Sequence, residues 1–201
     1  MVEDLRLCFV GDSFVAGVGD PRRLGWAGRL AAAASPQIPL TVYNLGIRGQ
    51  TAPEIEARLI AECAPRLPEW VTAGVVLSFG ANDTAWAGGE PRVAPAASAS
   101  ALTRMLDAVA ARGWAALMVG PPPVAEDAHN ARIGDLDAEY ARRCAAAAVP
   151  YVPVLAALSA DEVWMREVRE GDGAHPGAAG YEAMAALVAP AWETWFGGLA
   201  R

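Results

Sequence analysis

Two histidines and no lysine set the terms for any acid–base or nucleophilic chemistry in this chain. All 16 basic residues are arginine, which removes a Schiff-base amine, a Ser–Lys dyad and the lysine of a phosphate-binding loop together. A histidine base has two candidates, His129 and His175. His175 follows Asp172 by three residues in "DGAHP", and a single turn is enough to set carboxylate against imidazole. Asp172 then accepts from Nδ1–H, leaving Nε2 to take a proton. The hydroxyl to give it is Ser13, in "LRLCFVGDSFVAGVGD", where an apolar run breaks into small and polar residues. An acyl-transfer site also needs donors for an oxyanion. The backbone N–H of Ser13, the amide of Gly46 and the carboxamide of Asn82 are the candidates.

Each of these residues has a plainer reading. Ser13 alone is as well explained as a helix cap or a strand-end hydroxyl, Gly46 as a turn glycine and Asn82 as a turn residue. The glycines at 11, 17 and 19 do not have the G-x-G-x-x-G spacing, so a phosphate cradle is set aside. Asp12 reads as an acid that fixes the turn through nearby amides, and Asp83 as a loop brace. His129, in a polar stretch after three prolines, is expected to be solvated. Trp26, Trp86 and Trp164 read as packing, with Trp86 close enough to Asn82 to border a pocket.

What must position these groups is a set of five apolar runs bounded by turn residues: 5–11, 40–46, 73–80, 114–120 and 149–155. Short, nearly continuous runs suit strands covered on both faces, as in parallel sheets. Helical spacing falls between them. Thr51 and Glu54 form a capping-box pattern ahead of Ile55, Leu59 and Cys63; further helices are expected over about 97–112, about 130–147 and after His175, the last kinked or divided at Pro190. "PRVAPAASAS" and "GPPPVAEDAHN" read as loops, and the stretch from the fifth run to "EGDGAHPGAAGY" as irregular. Strand–helix alternation predicts an α/β, three-layer α/β/α sandwich with a mainly parallel five-stranded sheet, as one domain over residues 1–201. Ligands in such sheets bind at the carboxyl ends of the strands, where "GDS", "NLGIRGQT" and "GAND" all open.

Four blocks in this order, "GDSF", "NLGIRGQT", "GAND" and "DGAHP", make the chain resemble the SGNH hydrolases, also called GDSL-type esterases, lipases and acylhydrolases. The resemblance spans residues 11–176 and implies a flavodoxin-like fold. It also implies a serine hydrolase of carboxylic esters or thioesters: nucleophile Ser13, Asp172 and His175 as the acid–base pair, and an oxyanion hole from Ser13, Gly46 and Asn82. Phe14 departs from the leucine of the four-letter name, at a packing position. No metal or organic cofactor is implied. Two other readings keep the same fold: a non-catalytic carbohydrate or small-molecule binding module, and an acyltransferase.

The bulk properties narrow the partners. A net charge of -7 provides no electrostatic footprint for nucleic acid or an anionic membrane surface, and no apolar run reaches the roughly 20 residues of a membrane span. The start, "MVEDLRLCFV", has neither signal- nor transit-peptide character. Cys8, Cys63 and Cys144 are odd in number and widely spaced, which fits a reducing cytoplasm better than a disulfide framework. The expected partner is a small acyl ester or thioester. Trp192, Trp195 and Phe196 can pack inward or against another subunit.

Overall fold

The computed structural model describes residues 4–200; the first three residues of the stretch read above as lacking leader character lie outside the described part. In chain order the elements are β1 (Leu5–Gly11), α1 (Ser13–Ala16), α2 (Gly25–Ala33), β2 (Leu40–Gly46), α3 (Ala52–Cys63), β3 (Thr72–Ser78) and α4 (Ala81–Thr84). A two-residue-per-strand hairpin, β4 (Trp86–Ala87) and β5 (Glu90–Pro91), comes next. Then follow α5 (Pro95–Ala111), β6 (Ala115–Val119), α6 (Asp127–Ala146), β7 (Tyr151–Val152), α7 (Leu155–Ser159), α8 (Glu162–Glu170) and α9 (Ala178–Leu199).

Five strands make one sheet in the order β2-β1-β3-β6-β7, and every pairing is parallel. This is the flavodoxin-like order, in which the chain reverses direction across the sheet between β1 and β3. The register puts Gly11 level with Gly46 on one side and Ser78 on the other, so three strands end on one line. Glycine is required at Gly11 because a Cβ there would lie 1.9 Å from the Ser78 carbonyl oxygen. The apolar run of β1 divides between two cores: Leu5, Leu7 and Phe9 meet Trp26, Trp164, Tyr181 and Trp192 on one face. Cys8 and Val10 meet Ile55, Leu59, Leu102 and Tyr140 on the other. The expected three-layer sandwich is therefore present. Trp192, Trp195 and Phe196 belong to the first core and pack inward.

The structure corrects several boundaries for physical reasons. The run at 40–46 forms an edge strand, so only Leu45 of β2 is buried. Of 149–155 only Tyr151–Val152 pairs, because the flanking Pro150 and Pro153 bring no N–H to a ladder. "PRVAPAASAS" is half helix, since Pro95 opens α5 at a position where its missing N–H costs nothing. α6 starts at Asp127 and takes in His129. The irregular stretch before His175 holds α7 and α8, the latter capped by Asp161, which accepts from the Trp164 amide at 2.7 Å. Pro190 does not divide α9: the helix runs unbroken over 22 residues, with buried Val188, Trp192 and Phe196 anchoring both sides of the proline. Among the described residues no helix is long and apolar enough to cross a membrane.

Candidate functional site

The site forms where β1 stops. Asp12 caps α1, its Oδ1 accepting from the Phe14 amide at 3.0 Å, and this turns Ser13 onto the rim of the sheet as the first residue of the helix. A first-turn N–H has no partner within its own helix, so the Ser13 amide points out of α1 unpaired by the helical ladder. Ser13 itself is nearly buried.

His175 arrives from the other end of the chain. Its Nε2 lies 2.7 Å from Ser13 Oγ across 162 residues of sequence, and its Nδ1 lies 2.7 Å from Asp172 Oδ2. With Nδ1–H donating to the carboxylate, Nε2 is the acceptor for the Ser13 hydroxyl. The Asp172 loop also organises itself, as its spacing suggests: Oδ1 accepts from the Ala174 amide at 3.0 Å and the His175 amide at 2.8 Å. Partial burial works against the charged carboxylate, but the His175 amide, the imidazole and the Ala174 amide outweigh it and hold Asp172 at about 2. The carboxylate is half in water, with a side-chain exposure of 52% against 12% for His175. A cavity of about 400 Å³ opens beside the pair, walled by Gly19, Glu167, Glu170 and Gly177.

Asn82 lies in α4, directly after the end of β3. Its Nδ2 donates to the Gln50 carbonyl at 3.0 Å and to Asp12 Oδ2 at 3.2 Å. The carboxamide is thus brought to the residue preceding Ser13 and held there by two acceptors. Asp12 is 1% exposed, and burial, reinforced by the nearby charge of Asp83, pushes its carboxyl up to about 7 against the pull of the Phe14 amide and Asn82. Asp83 is a brace, as read from the sequence. Its oxygens lie 3.0 and 3.1 Å from the Ala52 amide, tying α4 to the start of α3, and it accepts the Ser98 hydroxyl at 2.6 Å. Burial raises it to about 6.

Gly46 meets this arrangement through its backbone. Its N–H donates to Asn44 Oδ1 at 3.0 Å, two residues back. What Gly46 supplies is closeness: a Cβ there would lie 2.3 Å from the Ala16 nitrogen and 2.7 Å from the Asp12 carbonyl oxygen. It lets the end of β2 press against the turn that carries Ser13.

His129 differs from expectation. It is half-buried in α6 rather than solvated in a loop, with Nε2 2.9 Å from the Ala81 carbonyl and 3.1 Å from Thr84 Oγ1. Burial lowers its pKa. Arg132, one turn on, donates through Nε to the Thr84 carbonyl at 2.9 Å. The two side chains grip both ends of α4 and so steady Asn82. Trp26 and Trp164 are fully buried, whereas Trp86 stands exposed on the hairpin with the Arg132 guanidinium 5.1 Å from its ring centre.

Two residues that the sequence reading passed over complete the frame. Arg58 donates to Gln50 Oε1 at 2.6 Å and to the Gly11 carbonyl at 3.0 Å, joining the loop after β2 to the end of β1. Gln50 then presents its carbonyl to Asn82. Gln50 stands in the "NLGIRGQT" block with no role of its own legible there, and Arg58 is one polar residue on an amphipathic helix whose partners are fixed only by the sheet order. Among the described residues no group of three or more His, Cys, Asp or Glu is placed to hold a metal ion.

A parallel sheet in flavodoxin-like order, with its polar groups gathered at the β1/β3 switch point, defines the class of this protein as a flavodoxin-like α/β/α sandwich. The chain belongs to the GDSL-like lipase/acylhydrolase family, whose profile matches residues 9–183, and it is an ester-hydrolysing enzyme of that type. No curated protein sequence matches it. Among solved structures it is similar to TesA, with 27% identity, a TM-score of 0.75 and coverage of 94% of this chain and 99% of that one. It is likewise similar to the lipase/acylhydrolase from Enterococcus faecalis, at 23% identity and TM-score 0.75 over 94% and 95% of the two chains. The acetylxylan esterase Axe2 from Geobacillus stearothermophilus shares the fold at 16% identity and TM-score 0.72, over 96% and 94%.

Proposed function

We propose that this enzyme cleaves small carboxylic esters or thioesters through an acyl-enzyme on Ser13. The observation that carries the reading is the unbroken hydrogen-bonded chain from Ser13 Oγ through both nitrogens of His175 to Asp172, 2.7 Å at each link. Ser13 Oγ attacks the acyl carbonyl carbon while Nε2 of His175 takes its proton. The carbonyl π pair moves onto oxygen, and Asp172 stabilises the imidazolium that results. When the tetrahedral species collapses, the bond to the alcohol or thiol breaks and His175 returns the proton to that leaving group. Water, activated by the same imidazole, then displaces the acyl group from Ser13 as the carboxylic acid.

The oxyanion donors are the Ser13 amide and Asn82 Nδ2. We assign Gly46 to close packing against the Ser13 turn, where a Cβ would lie 2.3 Å from the Ala16 nitrogen; its amide donates to Asn44 Oδ1 at 3.0 Å. Of the two bonds that hold the Asn82 carboxamide, the longer, to Asp12, is the one an oxyanion replaces. Three buried, free cysteines, Cys8, Cys63 and Cys144, fit action in a reducing cytoplasm.

The test is covalent labelling. The folded enzyme treated with a fluorophosphonate is expected to gain one adduct, mapped by mass spectrometry to Ser13 and abolished in Ser13→Ala. A similar fold offers precedent for the chemistry, the psychrotrophic esterase EstA from Pseudoalteromonas sp. inhibited by monoethylphosphonate. A folded protein that hydrolyses p-nitrophenyl esters with no adduct on Ser13 overturns the reading.

A further inference from the structure

Both nitrogens of the His175 ring have partners, yet two hydrogen bonds leave an imidazole free to tilt about the line that joins them. One side of the ring is walled by Phe14, with centroids 5.0 Å apart and planes inclined at 44°. Phe14 is itself fixed. It is buried at 3% exposure, and its ring stacks on Trp164 at 6.3 Å and 22°. Trp164 is locked in turn by its Nε1–H, which donates to the Pro123 carbonyl at 3.1 Å, and by an edge contact with Tyr181. Tyr181 closes the series, donating to the Val18 carbonyl at 2.8 Å. Three buried aromatic rings thus form a column that ends on the imidazole.

We propose that Phe14 is a positioning residue for His175: its ring fixes the plane of the imidazole between Ser13 and Asp172 and favours the imidazolium formed when Ser13 gives up its proton. The proposal rests on the catalytic reading given above. Its physical basis is the aromatic quadrupole, which attracts a cation lying within about 6 Å of the ring centre. The need for it follows from Asp172, whose half-exposed carboxylate is screened by water and holds an imidazolium less firmly than a buried one does. A leucine, the residue of the GDSL name, fills the same space without a quadrupole or a flat wall.

The charged groups around His175 are few. Asp172 is bonded to it; Glu167 and Glu170 of α8 line the same cavity; Asp20, beyond Gly19, is paired with Arg29. Asp12 is turned toward Asn82 and the Phe14 amide. None of these is altered by exchanging Phe14 for a neutral residue.

The test is an NMR titration of the full chain with labelled imidazoles, where the only two histidine signals are separated with a His129→Asn variant. Phe14→Leu, and independently Phe14→Met, are expected to lower the His175 titration midpoint by about 0.5–1 pH unit. The same variants should lower kcat by roughly three- to tenfold with KM unchanged, while Phe14→Tyr keeps the wild-type midpoint. Fluorophosphonate labelling is run alongside. A Ser13 adduct combined with an unmoved midpoint in both ring-less variants overturns the role of Phe14. Absence of a Ser13 adduct in the wild-type protein overturns instead the catalytic reading on which that role rests.

Discussion

Asp12→Asn is the substitution whose consequences follow most completely from the structure. In the wild-type protein each carboxyl oxygen serves one buried donor, Oδ1 the Phe14 amide and Oδ2 the Asn82 carboxamide. Burial raises the carboxyl from 3.8 to about 7, so the folded state holds the proton more tightly than the unfolded chain. For an acid with a raised pKa, the associated stability is fully present below the unfolded value. It drains away as pH climbs to the folded one. The gap of roughly 3 units, at 1.36 kcal/mol each, makes the wild type lose about 4 kcal/mol between pH 4 and pH 8 through this group alone. Asparagine does not titrate, but it offers one acceptor where two donors wait. An unsatisfied buried donor costs about 1–3 kcal/mol at every pH. The variant is therefore expected to be less stable than the wild type at pH 4 by about 1–3 kcal/mol, and more stable at pH 8 by a similar margin. Urea unfolding followed by tryptophan fluorescence, repeated across that range, measures both curves. Asp83 titrates in both proteins, and its contribution cancels in the difference except for its coupling to Asp12, which goes with the charge. Curves that run parallel from pH 4 to pH 8 would refute the assigned burial and partners of Asp12.

Further outcomes bear on the oxyanion donors. Asn82→Ala is expected to fold normally and to lose roughly 10²–10³ in kcat with little change in KM, measured on short-chain p-nitrophenyl esters, because the donor acts on charge that exists only in the transition state. Gly46→Ala tests the assignment of that glycine to packing. A methyl 2.3 Å from the Ala16 nitrogen forces the β2 end away from α1, so the variant should lose at least about 1–3 kcal/mol of stability by thermal or urea unfolding. A Gly46→Ala protein of unchanged stability but much reduced turnover would return the glycine to the oxyanion hole.

Membership in a fold and a family explains why these residues meet, but the contacts also show which parts of the site a linear reading can reach. The Asp172–His175 pair was legible because three residues of spacing in one turn bring the groups together without outside help, and the structure shows that turn closed by amides of the same loop. The Thr51–Glu54 capping box was legible for the same reason. Strand runs and their alternation with helices were readable from hydrophobic pattern, and with them the layered sheet and the rim on which Ser13 and Asn82 open. Edge strands were less so, because half-burial of β2 depends on what lies beyond it, and among the described residues no further strand does.

The remaining features depended on contacts that no sequence window contains. Ser13 and His175 are 162 residues apart, Asn82 and Asp12 are 70 apart, and His129 reaches Ala81 across 48. Gly46 poses a short-range choice instead: its amide donates to the Asn44 side chain two residues back, and the sequence does not say whether that bond or an oxyanion takes it. Residue types and local spacing therefore determined the inventory of chemistry, a hydroxyl, an acid–imidazole pair and a carboxamide at strand ends. Tertiary structure alone decided which of those groups touch and how far burial lifts Asp12, because partner choice and desolvation are set by the strand order and by what packs above it.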